Sequence, residues 1–174
     1  MIFDELSCCN LFAFHNIFVG FDLKIHWRYC FLNINADYLA SFWAIAAIIL
    51  LLLIQWLVAT KSKAKQKGSI PGKIDPSLGH ESFIFRAHRT FMNTLENIPS
   101  MLGISFLAIL IGANAFWTAV FIWAFVVCRI IHMILYYVIS TEKNPSPRTY
   151  FFSLGLMANI ALFGLCIKTL SSMS

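Results

Sequence analysis

Charged residues are scarce in this chain of 174 residues. Only 12% of the residues are charged, whereas 59% are hydrophobic, and the mean hydropathy is +0.75. Soluble domains carry about 25% charged residues, so the composition excludes an ordinary soluble domain and indicates a membrane protein. The formal charge of +5 is concentrated in one loop. No nucleic-acid partner is therefore expected, and the charge is better read as a signal of membrane orientation.

The chain also lacks the residue spacings of metal and disulfide sites. Its five cysteines form no C-x-x-C pair, and its five histidines show no H-E-x-x-H spacing. Cys128 and Cys166 lie inside apolar runs. The sequence predicts neither a disulfide framework nor a metal site.

Long uncharged runs are the main organising feature of the sequence. A helix needs about 20 apolar residues to cross the hydrocarbon core of a bilayer. Gly112 and Asn114 mark a turn between two runs, and Pro145 and Pro147 separate the last two. We expect an all-α integral membrane four-helix bundle over residues 36–174. The predicted spans are about residues 38–60, 83–112, 115–140 and 149–170.

The basic residues of the loops predict the orientation in the membrane. Five lysines follow the first span, the hairpin after the second span has no charge, and the third loop contains Lys143 and Arg148. By the positive-inside rule, the first and third loops face the cytoplasm. A bacterial inner membrane is favoured over the endoplasmic reticulum, because no retrieval signal is obvious.

Residues 1–35 form a predicted N-terminal extension of uncertain structure. Its stretch CCNLFAFHNIFVGF is apolar but too short to span a bilayer, and it lacks the basic start of a signal peptide. Two interpretations stay open. The segment is an interfacial element with its Phe and Ile side chains among the headgroups, or a poorly ordered extension produced by an upstream start codon.

Polar residues follow one face of the second predicted span. Arg89, Asn93 and Glu96 have the spacing i, i+4 and i+7, which places them in one stripe near the cytoplasmic end of a helix. Arg86 and His88 lie off this stripe. They are interpreted as interfacial anchors, as basic residues at helix ends usually are.

The third predicted span carries a second polar stripe, and the fourth begins beside a further arginine. Arg129, His132 and Tyr136 have the spacing i, i+3 and i+7, and Arg148 precedes the fourth apolar run. An arginine near the bilayer centre costs roughly 2.5 to 3.5 kcal/mol and is normally paired inside a bundle. Glu96 is the expected partner of Arg129 by depth. A purely structural salt bridge is the alternative to a ligand site.

Several arginines together with Asn and Glu suit a ligand that carries both carboxylates and an ammonium group. Arginine binds a carboxylate through two parallel hydrogen bonds, and glutamate accepts hydrogen bonds from an amine. Glutathione has this pattern of charges. Residue chemistry alone does not single it out from other ligands of the same kind.

Three segments carry a resemblance to a known family. "RTFMNTLENIP" fits R-x-x-x-N-x-x-E-x-x-P, "RIIHMILYY" fits R-x-x-[HY]-x-x-x-Y, and "PSPRTYFF" resembles an Arg-bearing start of a fourth helix. Over roughly Tyr38 to Leu170 the chain resembles the membrane-associated proteins in eicosanoid and glutathione metabolism (MAPEG). The resemblance implies a homotrimer that binds glutathione at subunit interfaces near the cytosolic side.

The resemblance also implies roles for individual residues. Arg148 matches the arginine held near the glutathione thiol and is the expected catalytic residue. The expected glutathione-binding residues are Arg89, Asn93, Glu96, Arg129, His132, Tyr136 and Thr149. The implied activity is that of a glutathione-dependent transferase or peroxidase acting on lipophilic electrophiles or lipid hydroperoxides that arrive through membrane lipid. A non-catalytic lipid- or glutathione-binding scaffold of the same fold is the alternative.

The chain departs from the prostaglandin synthases of that family at particular positions. Met92 stands where the synthase has a second arginine, Thr149 where it has serine, and Phe152 where it has tyrosine. The third loop is also longer. These differences argue against a dedicated prostaglandin isomerase.

Overall fold

Four long helices make up most of the part of the chain that the computed structural model describes, namely residues 36–66, 68, 70, 73–141, 143 and 145–173. They are α1 (Leu39–Ala64), α2 (Phe83–Leu110), α3 (Ala115–Val138) and α4 (Pro147–Ser171). All four belong to one compact unit, Tyr38–Ser174. The predicted N-terminal extension, residues 1–35, lies outside the described residues.

The helices have the length and composition of membrane helices. Three of them, α1, α3 and α4, are long and apolar enough to cross a bilayer. This confirms the prediction of an all-α integral membrane bundle. With 28 residues α2 is also long enough, at about 42 Å, but the polar residues of its first half lower its hydropathy. The count of four spans stays a prediction.

The hairpin between α2 and α3 forms where the sequence predicts a turn. Gly112 has φ +66°, a backbone conformation that costs other residues energy because their Cβ would approach the next carbonyl. Asn114 then caps α3, since its side-chain oxygen accepts a hydrogen bond from the Trp117 amide at 3.1 Å. The turn therefore joins two helices that run in opposite directions.

One face of each helix is turned towards the interior of the bundle. In α2 the buried residues recur at intervals of three and four positions, the spacing of a single helix face. The most extensive contact between two helices is the one between α3 and α4. Large apolar side chains such as Leu110, Phe116 and Val138 are exposed on the outside, where lipid or another subunit would cover them.

Hydrogen bonds between helices hold the bundle together. The Trp123 indole N–H donates to the Ala40 carbonyl at 3.1 Å. The side-chain amide of Asn159 in α4 donates to the Ser100 hydroxyl of α2 at 2.8 Å. Because lipid tails offer no competing partners, such bonds persist in a membrane interior, where each contributes about 0.6 to 2 kcal/mol. The first bond joins α3 to α1, and the second joins α4 to α2.

Two glycines provide a matched test of this fold. A Cβ added to Gly155 in α4 would lie 3.6 Å from the Cys128 Cβ and 3.8 Å from the Arg129 Nε, which are ordinary contact distances. We expect Gly155→Ala to stabilise the protein by about 0.5 to 1 kcal/mol, because alanine loses less backbone entropy in a helix. Gly112→Ala should instead destabilise it by about 1 to 2 kcal/mol. Thermal unfolding in detergent measures both, and a lower midpoint for Gly155→Ala would contradict the packing described here.

Candidate functional site

A cavity of about 330 Å³ lies where the ends of α2, α3 and α4 meet the loops that precede α2 and α4. Its volume is within the range of small-molecule sites, about 300 to 1,000 Å³. Its lining consists of His80, Asn93, His132, Tyr136, Lys143, Ser146, Arg148, Thr149 and Phe152. The cavity thus collects residues from three helices and two loops.

Arg148 is the most constrained cation in this cavity. It lies in the first turn of α4 and is 8% exposed. Its Nη2 donates to the Thr141 carbonyl, and its guanidinium lies 4.2 Å from the centre of the Tyr136 ring. Its Nη1 has no hydrogen-bond partner among the described residues. A buried unpaired donor costs about 1 to 3 kcal/mol, so an anionic ligand at this nitrogen would be favoured.

The local sequence fixes the point at which α4 begins, and thereby the position of Arg148. Pro147 occupies the first turn, where its missing N–H costs nothing. The Ser146 amide donates to the Thr149 hydroxyl at 3.3 Å, and the two side chains form a capping box. Thr149 therefore has a structural partner besides lining the cavity. The amino end of the helix adds a positive field next to Arg148.

Aromatic rings form a wall of the cavity. His132 and Tyr136 lie on one face of α3 with ring centroids 5.3 Å apart, and Phe152 of α4 lies 6.1 Å from His132. His80, in the loop before α2, lies 5.9 Å from the Tyr136 ring. The Tyr136 ring therefore lies beside both the His80 imidazole and the Arg148 guanidinium.

The loop before α2 is tied to the ends of the helices. The Arg86 Nη1 donates to the carbonyls of His80 at 2.7 Å and Glu81 at 2.9 Å, and the Ser140 hydroxyl donates to the same His80 carbonyl at 3.0 Å. Arg86, which the sequence suggested as an interfacial anchor, is thus a link between the loop and α2. These bonds hold the His80 side chain at the cavity.

Arg129 lies deep in the bundle rather than on the cavity surface. It is fully buried, and its guanidinium lies 5.1 Å from the Phe125 ring and 4.9 Å from the Phe152 ring. None of its three nitrogens has a hydrogen-bond partner among the described residues. Because Phe152 also lines the cavity, its ring contacts both Arg129 and the ligand space.

The expected pairing of Glu96 with Arg129 is not formed within the described part of the subunit. Glu96 is exposed, whereas Arg129 is enclosed by aromatic rings. The reason is the direction of α2. Thr94 faces the interior, and a residue two positions later points about 200° away around the helix. Glu96 therefore lies on a different face of α2 from the one that packs against the bundle.

The structure brings together five of the residues that the sequence singled out. The cavity lining includes Asn93, His132, Tyr136, Arg148 and Thr149. Arg129 contacts the lining through Phe152. Arg89 and Glu96 are exposed on the outside of α2, so in one subunit they do not reach the ligand space.

Sequence reasoning missed four residues that line the cavity. They are His80, Lys143, Ser146 and Phe152. Helical spacing relates residues within one helix, whereas three of these four lie in loops or at a helix cap. Phe152 was noted only as a departure from a family pattern. Its position one turn after Arg148 was the available signal, since residues four apart share a helix face.

The electrostatic character of the lining is basic. Lys143 and Arg148 supply its positive charge, and no carboxylate lies among the described residues that line the cavity. The described residues also include no group of three or more His, Cys, Asp or Glu side chains that could hold a metal ion. The site is therefore suited to an anionic ligand, held by charge and hydrogen bonds.

A comparison with known families agrees with the motifs on these helices. The model of the MAPEG family matches residues 40–168, a range that includes almost all of the four helices. No curated protein and no solved structure matches the chain. Since the match covers most of the sequence, the chain belongs to the MAPEG family.

Proposed function

We propose that the protein is a glutathione-dependent membrane transferase or peroxidase that acts on lipophilic electrophiles or lipid hydroperoxides. The observation that carries the proposal is the buried Arg148, which lines a basic cavity with one unpaired nitrogen. Membership of the MAPEG family makes glutathione the first ligand to consider. Arg148 is the proposed catalytic residue.

The chemistry of the lining fits glutathione. The tripeptide carries two carboxylates, one ammonium group and a thiol, so it needs several cationic partners and some neutral ones. Arg148 supplies positive charge, and Asn93 supplies an amide that can both donate and accept hydrogen bonds. Tyr136 and His132 offer further donors beside them. The ammonium group requires an acceptor, and Glu96 is the proposed one.

The exposed position of Glu96 and Arg89 supports the proposal of a homotrimer. Both side chains point away from the interior of their own subunit, in a helix whose other end is strongly apolar. Charged groups that face lipid are costly, so they normally face other protein or a wet cavity. In the proposed trimer, Arg89 and Glu96 of one subunit would complete the ligand site of its neighbour.

Arg148 would act by stabilising negative charge. Bound glutathione would supply a thiolate that attacks an electrophilic carbon while the leaving group departs with the bonding electron pair. With a hydroperoxide, the thiolate would attack the outer oxygen, the O–O bond would break to release the alcohol after protonation, and a second glutathione would convert the sulfenic acid to the disulfide and water. A free thiol has a pKa near 8.5, and an adjacent cation lowers that pKa. The Arg148 Nη1 and the amino end of α4 are both positive, so the thiol proton would be lost to water more readily here. Thr141 and Tyr136 hold the guanidinium in place.

The acceptor substrate would reach the site from the bilayer. The outer surfaces of α3 and α4 are apolar, so a lipophilic electrophile or a fatty-acid hydroperoxide would concentrate in the lipid around them. The proposed location is a bacterial inner membrane, with the first and third loops in the cytoplasm. Glutathione would then enter from the cytoplasmic side.

The role of Arg148 can be tested by following the thiolate itself. Purified protein mixed with glutathione should show a thiolate absorbance band, and it should conjugate chlorodinitrobenzene or reduce a lipid hydroperoxide. Arg148→Ala should keep its fold but lose the band, with kcat/KM lower by about 10- to 100-fold, because a charged hydrogen bond is worth about 1.5 to 3 kcal/mol. In Arg148→Ala the rate should also reach its maximum at a higher pH, because the pKa of the glutathione thiol is no longer lowered.

A control variant accompanies this experiment. Lys73 is exposed and lies outside the cavity, so Lys73→Ala should retain the band and the rate. An unchanged band in Arg148→Ala would contradict the assigned role. Binding of glutathione without turnover of either acceptor would favour the non-catalytic scaffold instead.

Arg129 provides a separate test of whether its burial serves ligand binding. Arg129→Met removes a buried charge whose nitrogens lack partners in the described subunit while keeping an elongated apolar side chain between Phe125 and Phe152. Removing a buried charge also removes the free-energy cost of keeping that charge away from water. We expect a higher unfolding midpoint without glutathione, together with a smaller midpoint increase on adding it. An equal increase in both proteins would show that Arg129 has no part in binding.

A further inference from the structure

Thr141 accepts hydrogen bonds from two basic residues that line the cavity, from the side chain of Arg148 and from the backbone of Lys143. The Thr141 carbonyl accepts a hydrogen bond from Arg148, and the Thr141 hydroxyl accepts one from the Lys143 backbone amide at 3.1 Å. Thr141 follows α3 by only a few residues. The third loop thus positions the buried guanidinium and a second basic residue at the same cavity.

The loop before α2, which contains His80, borders the same region. The Ser140 hydroxyl donates to the His80 carbonyl at 3.0 Å, so the residue next to Thr141 joins the first loop to the third. The His80 side chain lines the cavity together with Lys143. Two loops, not only helices, therefore determine which charges surround a ligand.

The Lys143 side chain differs from the other lining groups in its exposure. Arg148 and His132 are buried, whereas Lys143 is exposed and belongs to the cavity lining. A cation at the mouth of a basic cavity, where the described lining residues include no carboxylate, can receive a negatively charged group that extends outwards from Arg148. A carboxylate is the group that matches it best.

We propose that Lys143 is a further ligand-binding residue, which pairs with a carboxylate of the bound ligand at the mouth of the cavity and so contributes to its selectivity. The inference rests on the proposed function, because that function supplies the ligand. The carboxylate belongs either to glutathione or to a fatty-acid acceptor. Both sources have the same chemistry, and the following experiment separates them.

The experiment compares Lys143→Gln with the wild-type protein in lipid nanodiscs. Exposed ion pairs are worth about 0.2 to 1 kcal/mol, so affinity for the correct ligand should fall by up to about fivefold. Lys143→Arg should restore it, and added salt should reduce the difference by screening. Lys65→Gln is the matched control, since Lys65 is exposed and lies off the cavity.

Blocked ligands identify the carboxylate. If Lys143 binds glutathione, the variant should lose affinity for glutathione but not for its glycine ethyl ester. If it binds the acceptor, the variant should have a higher KM for a fatty-acid hydroperoxide and an unchanged KM for the methyl ester. Wild-type binding of these ligands with equal values for Lys143→Gln would overturn this inference alone. A wild-type protein that binds neither glutathione nor the fatty acid would overturn the proposed function with it.

Discussion

A polar group inside a bilayer must find its partner within the protein, and the structure follows from this constraint. Lipid tails offer no hydrogen bonds, so the charged residues of the helices either face the interior or meet another polar surface. Arg148 satisfies the constraint with a carbonyl and an aromatic ring, from Thr141 and Tyr136. Among the described residues, Arg129 has aromatic faces alone as partners. Both arginines thus lie close to aromatic rings. Arg148 also has a hydrogen-bond partner, whereas Arg129 has none among the described residues.

The different surroundings of the two arginines determine which of them is available to a ligand. An arginine with a free nitrogen and a fixed plane is ready to bind an anion, since the orienting contacts are already formed before the ligand arrives. The first turn of α4 positions Arg148, because Pro147 and the Ser146–Thr149 capping box define the point at which the helix begins. Local sequence chemistry in one turn of a helix is therefore connected directly to the electrostatics of the site.

The loops make the second contribution. His80 and Lys143 approach the cavity because hydrogen bonds from Arg86 and Ser140 secure one loop, and the Thr141 hydroxyl secures the other. Loops vary more readily than helices among proteins of one fold. His80 and Lys143 therefore belong to the part of the chain where sequence changes are tolerated most readily.

The sequence by itself determined the helices, the turn at Gly112 and Asn114, and the faces that carry Asn93, His132 and Tyr136. These features depend on residues near one another along the chain, so composition, spacing and capping are sufficient to predict them. Only the tertiary structure decided that Glu96 points away from Arg129, and that His80 and Lys143 line the cavity. These outcomes depend on how helices rotate against one another and where loops are bound. Such contacts join residues far apart in the chain, and no local pattern specifies them.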